Sequence, residues 1–220
     1  MNIPKIIHQI WVGKPMPDHL KTYCDSWRQL HPDWEYWLWS DADLQWLVNR
    51  DIYDRWPELA PRNAGQFRSN IGRLEILAEH GGIYADCDME PLRPFNELLD
   101  GVDAFTSWHR PARSKKKNLL TNGLIGCTPE HPTFVKLVEG IPANVVRRKG
   151  MRSTYTTGVW YVTDEVRRQQ LMDTLTVYPS HYFYPYQPDQ LHHQGRKFPE
   201  SWAVHHWNNL RSGGHTGRNA

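Results

Sequence analysis

One helix followed by one strand constrains the fold more than any other part of the chain. Apolar residues recur at three-to-four spacing over residues 63–80, which predicts an amphipathic helix. Gly81 suits the helix end because glycine accepts a positive φ. The apolar run 83–85 then predicts a short buried strand, and Asp86 and Asp88 follow it directly. Strand ends are where α/β folds bind their ligands.

Strands and helices alternate along the rest of the chain. Apolar runs predict strands, and three-to-four spacing predicts helices. The Trp56-Pro57 pair and Pro61 predict a loop. The alternation favours an α/β layer fold. The predicted strands cover 5–12, 34–39, 103–108, 124–127, 177–179 and 203–207, and the further predicted helices cover 17–30, 43–50, 132–139 and 158–170.

Length and composition limit the classes of protein. A chain of 220 residues with 39% hydrophobic positions is long enough for one well-packed domain. Lys plus Arg number 26 against 24 Asp plus Glu, so bulk charge does not draw the protein to nucleic acid or membrane. The three cysteines lack metal-site spacing and predict no disulfide framework. The sequence shows neither a signal peptide nor an apolar run near the ~20 residues that span a bilayer, which predicts a cytoplasmic protein.

Aromatic residues are abundant, with 11 Trp, 10 Tyr and 6 Phe beside 12 His. Large aromatic side chains dominate core packing, so a Trp-rich core is one interpretation. Stacking of some of these rings on sugars or on a base is the other. The composition leaves both open.

The Asp86-Cys87-Asp88 triplet is the first candidate site. In an extended segment, carboxylates two residues apart point to the same side and can share one hard cation. A triplet of this kind arises by chance in roughly half of chains of this length. Its position after a Gly-Gly turn and a buried strand gives it no packing role, and favours a metal held against a diphosphate.

The helix predicted over 63–80 carries two polar flanks. One flank is formed by Arg68, Glu75 and Glu79, and the other by Gln66, Asn70 and Arg73. We expect one flank to face solvent and the other to face a site.

Several strings along the chain occur together in the order of a known family. They resemble the DXD-containing sugar transferases, glycosyltransferase family 32, with its Och1-type mannosyltransferases and capsular-polysaccharide glycosyltransferases. They are also distantly similar to the glucosylating domains of large clostridial toxins. The likeness runs from about residue 3 to residue 207 and is most specific between Arg73 and Asp88. The strings are Ile3 to Gly13, Ser26-Trp27, Trp34 to Trp39, Arg73 to Leu77, Gly81 to Asp88 and His205 to Trp207.

This resemblance implies a GT-A-like (Rossmann-like) single domain with a central, mostly parallel sheet flanked by helices, over residues 1–210. It also implies transfer from a UDP- or GDP-sugar donor with retention of anomeric configuration, and a divalent metal. The glycine-rich stretch 211–220 is expected to be a flexible tail.

Matched to the family, Asp86 would contact ribose and sugar, Asp88 would bind the metal and Arg73 would hydrogen bond the donor sugar. Trp11 would stack on the nucleobase, with core packing as its alternative. For Arg73 the alternative is a surface ion pair. Asn122 matches an asparagine of the donor pocket, although an asparagine before Gly123 also suits a plain turn.

His205 matches the family's late His-x-Trp and would complete the metal site with Asp86 and Asp88. An imidazole nitrogen added to oxygen ligands favours Mn²⁺ over Mg²⁺. His206 points the other way along a strand and is a weaker candidate. Trp207 would contact a donor phosphate.

Two positions depart from the family pattern. Asn70 stands where a carboxylate is usual, and Asn208-Asn209-Leu210 replaces the usual Ser-Trp pair. Both changes imply an altered donor or a weaker enzyme.

The acceptor has one local cue, the basic stretch 110–117, with five positive charges in eight residues. It is either a solvated loop or a flap that receives an anionic acceptor. Two rival functions also stay open. One is a metal-dependent phosphohydrolase, which needs a denser ligand set, and the other is a non-catalytic carbohydrate-binding module.

Overall fold

The computed structural model describes residues 2–61, 63–110 and 118–208. Its strands are β1 (Ile6–Ile10), β2 (Glu35–Trp39), β3 (Gly82–Ala85), β4 (Met89–Pro91), β5 (Ala104–Ser107), β6 (Leu124–Cys127), β7 (Thr176–Tyr178) and β8 (Ala203–His205). Its α-helices are α1 (Asp18–Leu30), α2 (Arg50–Asp54), α3 (Trp56–Leu59), α4 (Ala64–His80), α5 (Pro132–Arg147), α6 (Ser153–Thr156) and α7 (Val159–Arg168). The predicted tail 211–220 and most of the basic stretch lie outside the described residues.

The central sheet has six strands in the order β2-β1-β3-β6-β5-β7. Strand β1 pairs in parallel with β2 and β3, and β5 pairs in parallel with β7. Strand β6 runs antiparallel to both of its neighbours, β3 and β5. Five of the six strands therefore point the same way, which confirms the mostly parallel α/β sheet.

A second, two-stranded sheet joins β4 to β8, and Met89 is paired with His205. Strand β4 begins directly after Asp88, so this pairing carries His205 to the carboxyl end of β3. The sequence predicted the strand at β8 but not its partner β4.

Apolar side chains cover both faces of the sheet. On one face, α4, α5 and α7 pack a core that includes Ile71, Leu74 and Tyr161. On the other face, α1 contributes the fully buried Trp27 to a cluster with Phe95, Phe105 and Phe183, and the Trp27 indole donates to the Met89 carbonyl at 2.8 Å. Burying each large apolar side chain contributes roughly 1.5–3 kcal/mol. Much of the aromatic content is therefore core, including Trp27, Trp34 and Trp39.

The helix predicted over 43–50 is wrong, because residues 41–46 form turns and α2 begins only at Arg50. The Asp43 carboxylate accepts hydrogen bonds from the backbone N–H and the hydroxyl of Ser40, and such local bonds compete with a helix. The N–H groups of Val48 and Asn49 donate to Glu75 instead of to helical carbonyls.

Other expectations also needed correction. The predicted loop at Trp56 contains the short helix α3, since proline is tolerated in a first turn, where its missing N–H is not needed. Helix α5 continues well beyond the predicted end at residue 139. The sequence predicted that one polar flank of α4 faces a site and the other faces solvent. Glu75 lies on the flank that does not face the cleft, yet its side chain is buried. No helix among the described residues is long and apolar enough to cross a membrane.

Candidate active site

A cleft of about 680 Å³ opens where β1 and β3 end. Its walls come from the segment after β1, from one flank of α4, from the carboxylates after β3 and from the start of α6. The lining includes Trp11, Val12, Gln66, Asn70, Arg73, Asp86, Asp88, Asn122, Arg152 and Thr154. The second polar flank of α4 therefore faces the cleft, as expected.

Asp86, Asp88 and His205 form a compact cluster beside this cleft. One oxygen or nitrogen from each lies within 4.8 Å of the others. The Nε2 atom of His205 is 3.2 Å from Asp88 Oδ1 and 3.7 Å from Asp86 Oδ2. The other oxygen of Asp88 accepts the backbone N–H of Asn208 at 2.9 Å. The long-range β4–β8 pairing thus brings together the three residues that the sequence singled out for a metal.

The charges in this cluster support one another. Burial disfavours the charged form of His205, but the neighbouring Asp88 and Asp86 carboxylates raise its pKa to about 9. Burial would likewise raise the pKa of Asp88, yet the charge and hydrogen bond of His205 hold it below its usual value. The buried Asp88 carboxylate is therefore stabilised by positive charge, which is the condition a bound cation would also satisfy.

The donor set fits a divalent cation. Carboxylate oxygens suit Mg²⁺ and Mn²⁺, and an imidazole nitrogen suits the later transition metals better than Mg²⁺. Asp88 and His205 are both buried and Asp86 is half-buried, so the cluster has one side open to the cleft.

Arg73 is buried, and its guanidinium reaches three separate acceptors. Nη2 lies 3.0 Å from Asp86 Oδ1, Nη1 donates to the Asn122 carbonyl at 2.5 Å, and Nε donates to the Ser69 carbonyl at 3.0 Å. The guanidinium also lies over the Tyr84 ring at 4.4 Å. The alternative of a surface ion pair is wrong, because the partner of Arg73 is Asp86 in the cleft.

Asn70 and Asn122 are held by each other. The Asn122 amide donates to the Asn70 side-chain oxygen at 3.0 Å, and the Asn70 amide donates to the Thr157 hydroxyl at 3.4 Å. The next residue, Gly123, accepts the Asp86 backbone N–H at 2.7 Å. A Cβ at Gly123 would lie 2.7 Å from Asp86 Oδ2, so only glycine allows this approach. Asn122 lies in a bend and lines the cleft, and its place in a donor pocket stays a prediction.

Trp11 follows β1 and lines the cleft half-buried, so it is not part of the fully buried core. Its indole N–H donates to the Lys14 carbonyl at 2.6 Å. Base stacking on Trp11 stays a prediction.

The two residues after His205 have different surroundings. His206 places Nε2 at 2.8 Å from Glu90 and stacks on Tyr23, with the ring centroids 4.3 Å apart, so it lies outside the metal cluster. Trp207 has a φ of 56° and packs edge-on against His205, 4.0 Å between centroids. A contact between Trp207 and a donor phosphate stays a prediction.

Sequence reasoning missed two tyrosines of the site. The Tyr84 hydroxyl donates to Asp86 Oδ1 at 3.0 Å. Tyr184 is buried and packs against His205 and Trp207, with centroid distances of 5.6 Å and 5.8 Å. Tyr84 could have been found two residues before Asp86, where a strand places it on the same side. No local pattern marks Tyr184.

Comparison with known proteins agrees with this geometry. Residues 17–105 match the family model described as a glycosyltransferase sugar-binding region containing a DXD motif. This region is therefore similar to that family. Inositol phosphoceramide mannosyltransferase 3 of Schizosaccharomyces pombe is 30% identical over 146 residues, which is 64% of this chain and 37% of that protein. The chain thus spans well under half the length of this relative of the DXD family.

Solved structures show the fold. The PaToxG glycosyltransferase superposes with a TM-score of 0.60 at 19% identity, covering 76% of this chain and 70% of its own. The galactosyltransferase LgtC superposes with a TM-score of 0.51 at 10% identity, covering 92% of this chain and 87% of its own. The GT-A-like fold and the resemblance to DXD-containing sugar transferases are therefore confirmed.

Proposed function

We propose that this protein is a retaining glycosyltransferase that moves a hexose from a nucleoside-diphosphate sugar to a hydroxyl acceptor, with a divalent metal. The observation that carries the proposal is the cluster of Asp86, Asp88 and His205, whose two aspartates line a large cleft, with the buried Arg73 paired to Asp86. The match to a DXD sugar-binding region supports it.

Asp88 and His205, with Asp86, would hold the metal. A divalent ion there would neutralise the charge that develops on the diphosphate leaving group. Mn²⁺ is the preferred ion in this proposal because the imidazole nitrogen favours it over Mg²⁺.

Arg73, Asn70 and Asn122 form the wall beside these carboxylates and would hold the donor sugar. They are buried and tied to one another, so they would be pre-organised before the donor arrives. Trp11, which lines the same cleft, would stack on the base. Catalysis then consists of positioning and charge stabilisation. The acceptor hydroxyl would attack from the leaving-group face with a diphosphate oxygen as base, so no protein nucleophile is needed.

The donor and the acceptor class are open to direct test. The relative from S. pombe is named a mannosyltransferase of inositol phosphoceramide, which makes GDP-mannose the first donor to try. The other candidate donors to test are UDP-glucose, UDP-galactose and UDP-N-acetylglucosamine.

The experiment measures the melting temperature with each nucleotide sugar, with and without Mn²⁺, and then nucleotide release with the stabilising donor. We expect one donor to raise the melting temperature only when the metal is present. Asp88→Ala should abolish this rise, whereas Asp54→Ala, at an exposed carboxylate of α2, should keep it.

Three outcomes would contradict the proposal. Transfer that persists in EDTA would exclude the metal. Release of inorganic phosphate without sugar transfer would indicate a phosphohydrolase. Binding of free saccharides without any donor binding would indicate a carbohydrate-binding module.

A further inference from the structure

The turn between α5 and α6 combines positive charge with exposed apolar side chains. It comprises residues 146–152, which we call the basic turn, and contains four cations and no carboxylate. Val146 is 78% exposed and Met151 is 51% exposed. The turn therefore presents apolar surface beside its positive charges.

The backbone of this turn reverses the direction of the chain. Helix α5 ends at Arg147, and Met151 donates its N–H to the Arg148 carbonyl at 3.0 Å. Gly150 has a φ of 81° and has open space around it, which lets the chain reverse without packing against a neighbour.

Part of the positive charge in the turn is not neutralised. Arg148 pairs with Asp164 at 2.6 Å, and the exposed Lys149 lies 3.6 Å from Glu58. Within the described ranges, Arg147 and Arg152 form no direct ion pair, although the charge of Arg147 interacts with the more distant Glu165 carboxylate, and Arg147 donates a hydrogen bond to the Asn144 side-chain oxygen. The turn therefore keeps a local positive charge although the whole chain is near neutral.

The basic turn lies at the rim of the cleft. Arg152 and Thr154 line the cleft directly. Ser153, between them, donates to the Gln66 side chain on the cleft flank of α4 at 2.5 Å. A surface that contacts the turn would therefore lie next to the cleft opening.

We propose that the basic turn docks on an anionic lipid bilayer, with Val146 and Met151 in the interfacial layer and the cations against lipid headgroups. Aliphatic side chains flanked by Lys and Arg gain free energy in a membrane interface. Nucleic acid would use the cations but gives Val146 and Met151 no stacking or hydrogen-bonding role.

Another set of exposed apolar side chains differs from the basic turn in the charge of its neighbours in sequence. Leu38, Trp46 and Val48 are also exposed, but the same segment of chain carries Glu35, Asp41 and Asp43. An acidic surrounding repels an anionic membrane, so the opposite charge singles out the basic turn.

Docking at the rim would turn the cleft toward the bilayer, and the acceptor would then be a lipid carried in that membrane. This consequence rests on the proposed glycosyltransferase function, but the docking does not. The docking is therefore tested with no nucleotide sugar present.

The test is co-sedimentation of the full chain with vesicles of phosphatidylcholine, either pure or with 30% phosphatidylserine, over a range of salt concentrations. One variant removes charge, Arg147→Gln with Lys149→Gln. A second removes apolar surface, Val146→Ser with Met151→Ser. The control, Leu38→Ser with Val48→Ser, removes exposed apolar side chains from the segment that carries Glu35, Asp41 and Asp43.

We expect the wild type and the control to bind only the anionic vesicles, and to dissociate as salt rises. Each cation near the surface contributes roughly fivefold in partitioning, so the charge variant should bind about 25-fold more weakly. The apolar variant should lose about tenfold or more, with an unchanged melting temperature.

The proposal is overturned if both variants bind vesicles as the wild type does, or if the wild type binds neutral vesicles equally well. It is also overturned if the protein ignores vesicles but binds a labelled duplex oligonucleotide through the same cations. A protein that docks on anionic vesicles yet transfers no sugar would keep the docking and remove the proposed function.

Discussion

Two buried charges lie two residues apart on α4 and are stabilised in different ways. Arg73 faces the cleft, where its guanidinium meets the Asp86 carboxylate at 3.0 Å. Glu75 faces the other flank and accepts three N–H groups, from the backbones of Val48 and Asn49 and from the Asn49 amide. One charge is balanced by another side chain, and the other by peptide and amide dipoles.

This difference indicates that Arg73 has a functional role and Glu75 a structural one. Dipoles fixed in a turn stabilise Glu75 only in this fold, so Glu75 holds the segment 48–49 against α4. A carboxylate at the open side of a cleft can exchange its partner for a ligand, so Arg73 and Asp86 can act on a substrate. The same helix therefore carries an anchor on one side and donor-binding groups on the other.

The largest effect is expected for Glu75→Leu. Three donors, two of them in buried hydrogen bonds, would lose this acceptor, which costs about 3–5 kcal/mol in the free energy of unfolding. Urea unfolding followed by circular dichroism measures it, and Glu79→Leu at the exposed end of the same flank is the control. A loss of activity in molecules that remain folded would contradict the role of Glu75 as an anchor.

Arg73→Lys should show the reverse behaviour. Lysine keeps the charge but cannot reach the three acceptors of the guanidinium together. We expect kcat/KM for sugar transfer to fall about 100-fold, with a smaller loss of stability than in Glu75→Leu because the ammonium keeps a positive charge near Asp86. Arg68→Lys, on the opposite flank and paired with Asp41, should keep its activity. Equal losses of kcat/KM in the two variants would show that the cleft-facing flank of α4 contributes no more to activity than the opposite flank.

Asn70→Asp tests the cleft-facing flank of α4 alone. A carboxylate can still accept from Asn122, and it can accept from the Thr157 hydroxyl, to which the Asn70 amide now donates. Arg73 lies on the same flank, so the fold should tolerate the change. We expect about a tenfold change in kcat/KM for at least one nucleotide sugar, since one hydrogen bond to a charged group contributes about 1.5–3 kcal/mol. The control is Asn96→Asp, at an acceptor for the Trp34 indole. Identical kinetics across a donor panel would place Asn70 outside the donor site.

The smallest effect concerns pH and Glu75. Burial raises the pKa of Glu75 above its usual value, although its hydrogen bonds with Asn49 and Val48 oppose the rise. A raised pKa in the folded state means that the contribution of Glu75 to stability is full below its unfolded pKa and declines as pH rises. The stability of the wild type relative to Glu75→Gln should therefore be higher at pH 4 than at pH 7. A difference that grows with pH would show that the hydrogen bonds dominate over burial.

Sequence alone predicted the parts of this molecule that local patterns encode. The spacing in α4, the apolar run of β3 and the Asp86-Cys87-Asp88 triplet depend on neighbouring residues, and all three are where the sequence placed them. The helix expected over 43–50 failed in part because the N–H groups of Val48 and Asn49 donate to Glu75, which lies outside any local window around residue 48. The same applies to Tyr184 and to β4, whose contacts depend on distant parts of the chain. His205 was found only through the family resemblance.

The pairing of β8 with β4 also has a consequence for how the protein is made. Synthesis proceeds from the N-terminus, so α4, β3 and both carboxylates leave the ribosome long before His205. A nascent chain can bury its central sheet around Ile71 and Leu74 while the cluster still lacks its imidazole. The complete cluster can therefore form only after synthesis has passed β8. A chain released before that point contains Asp86 and Asp88 but lacks His205.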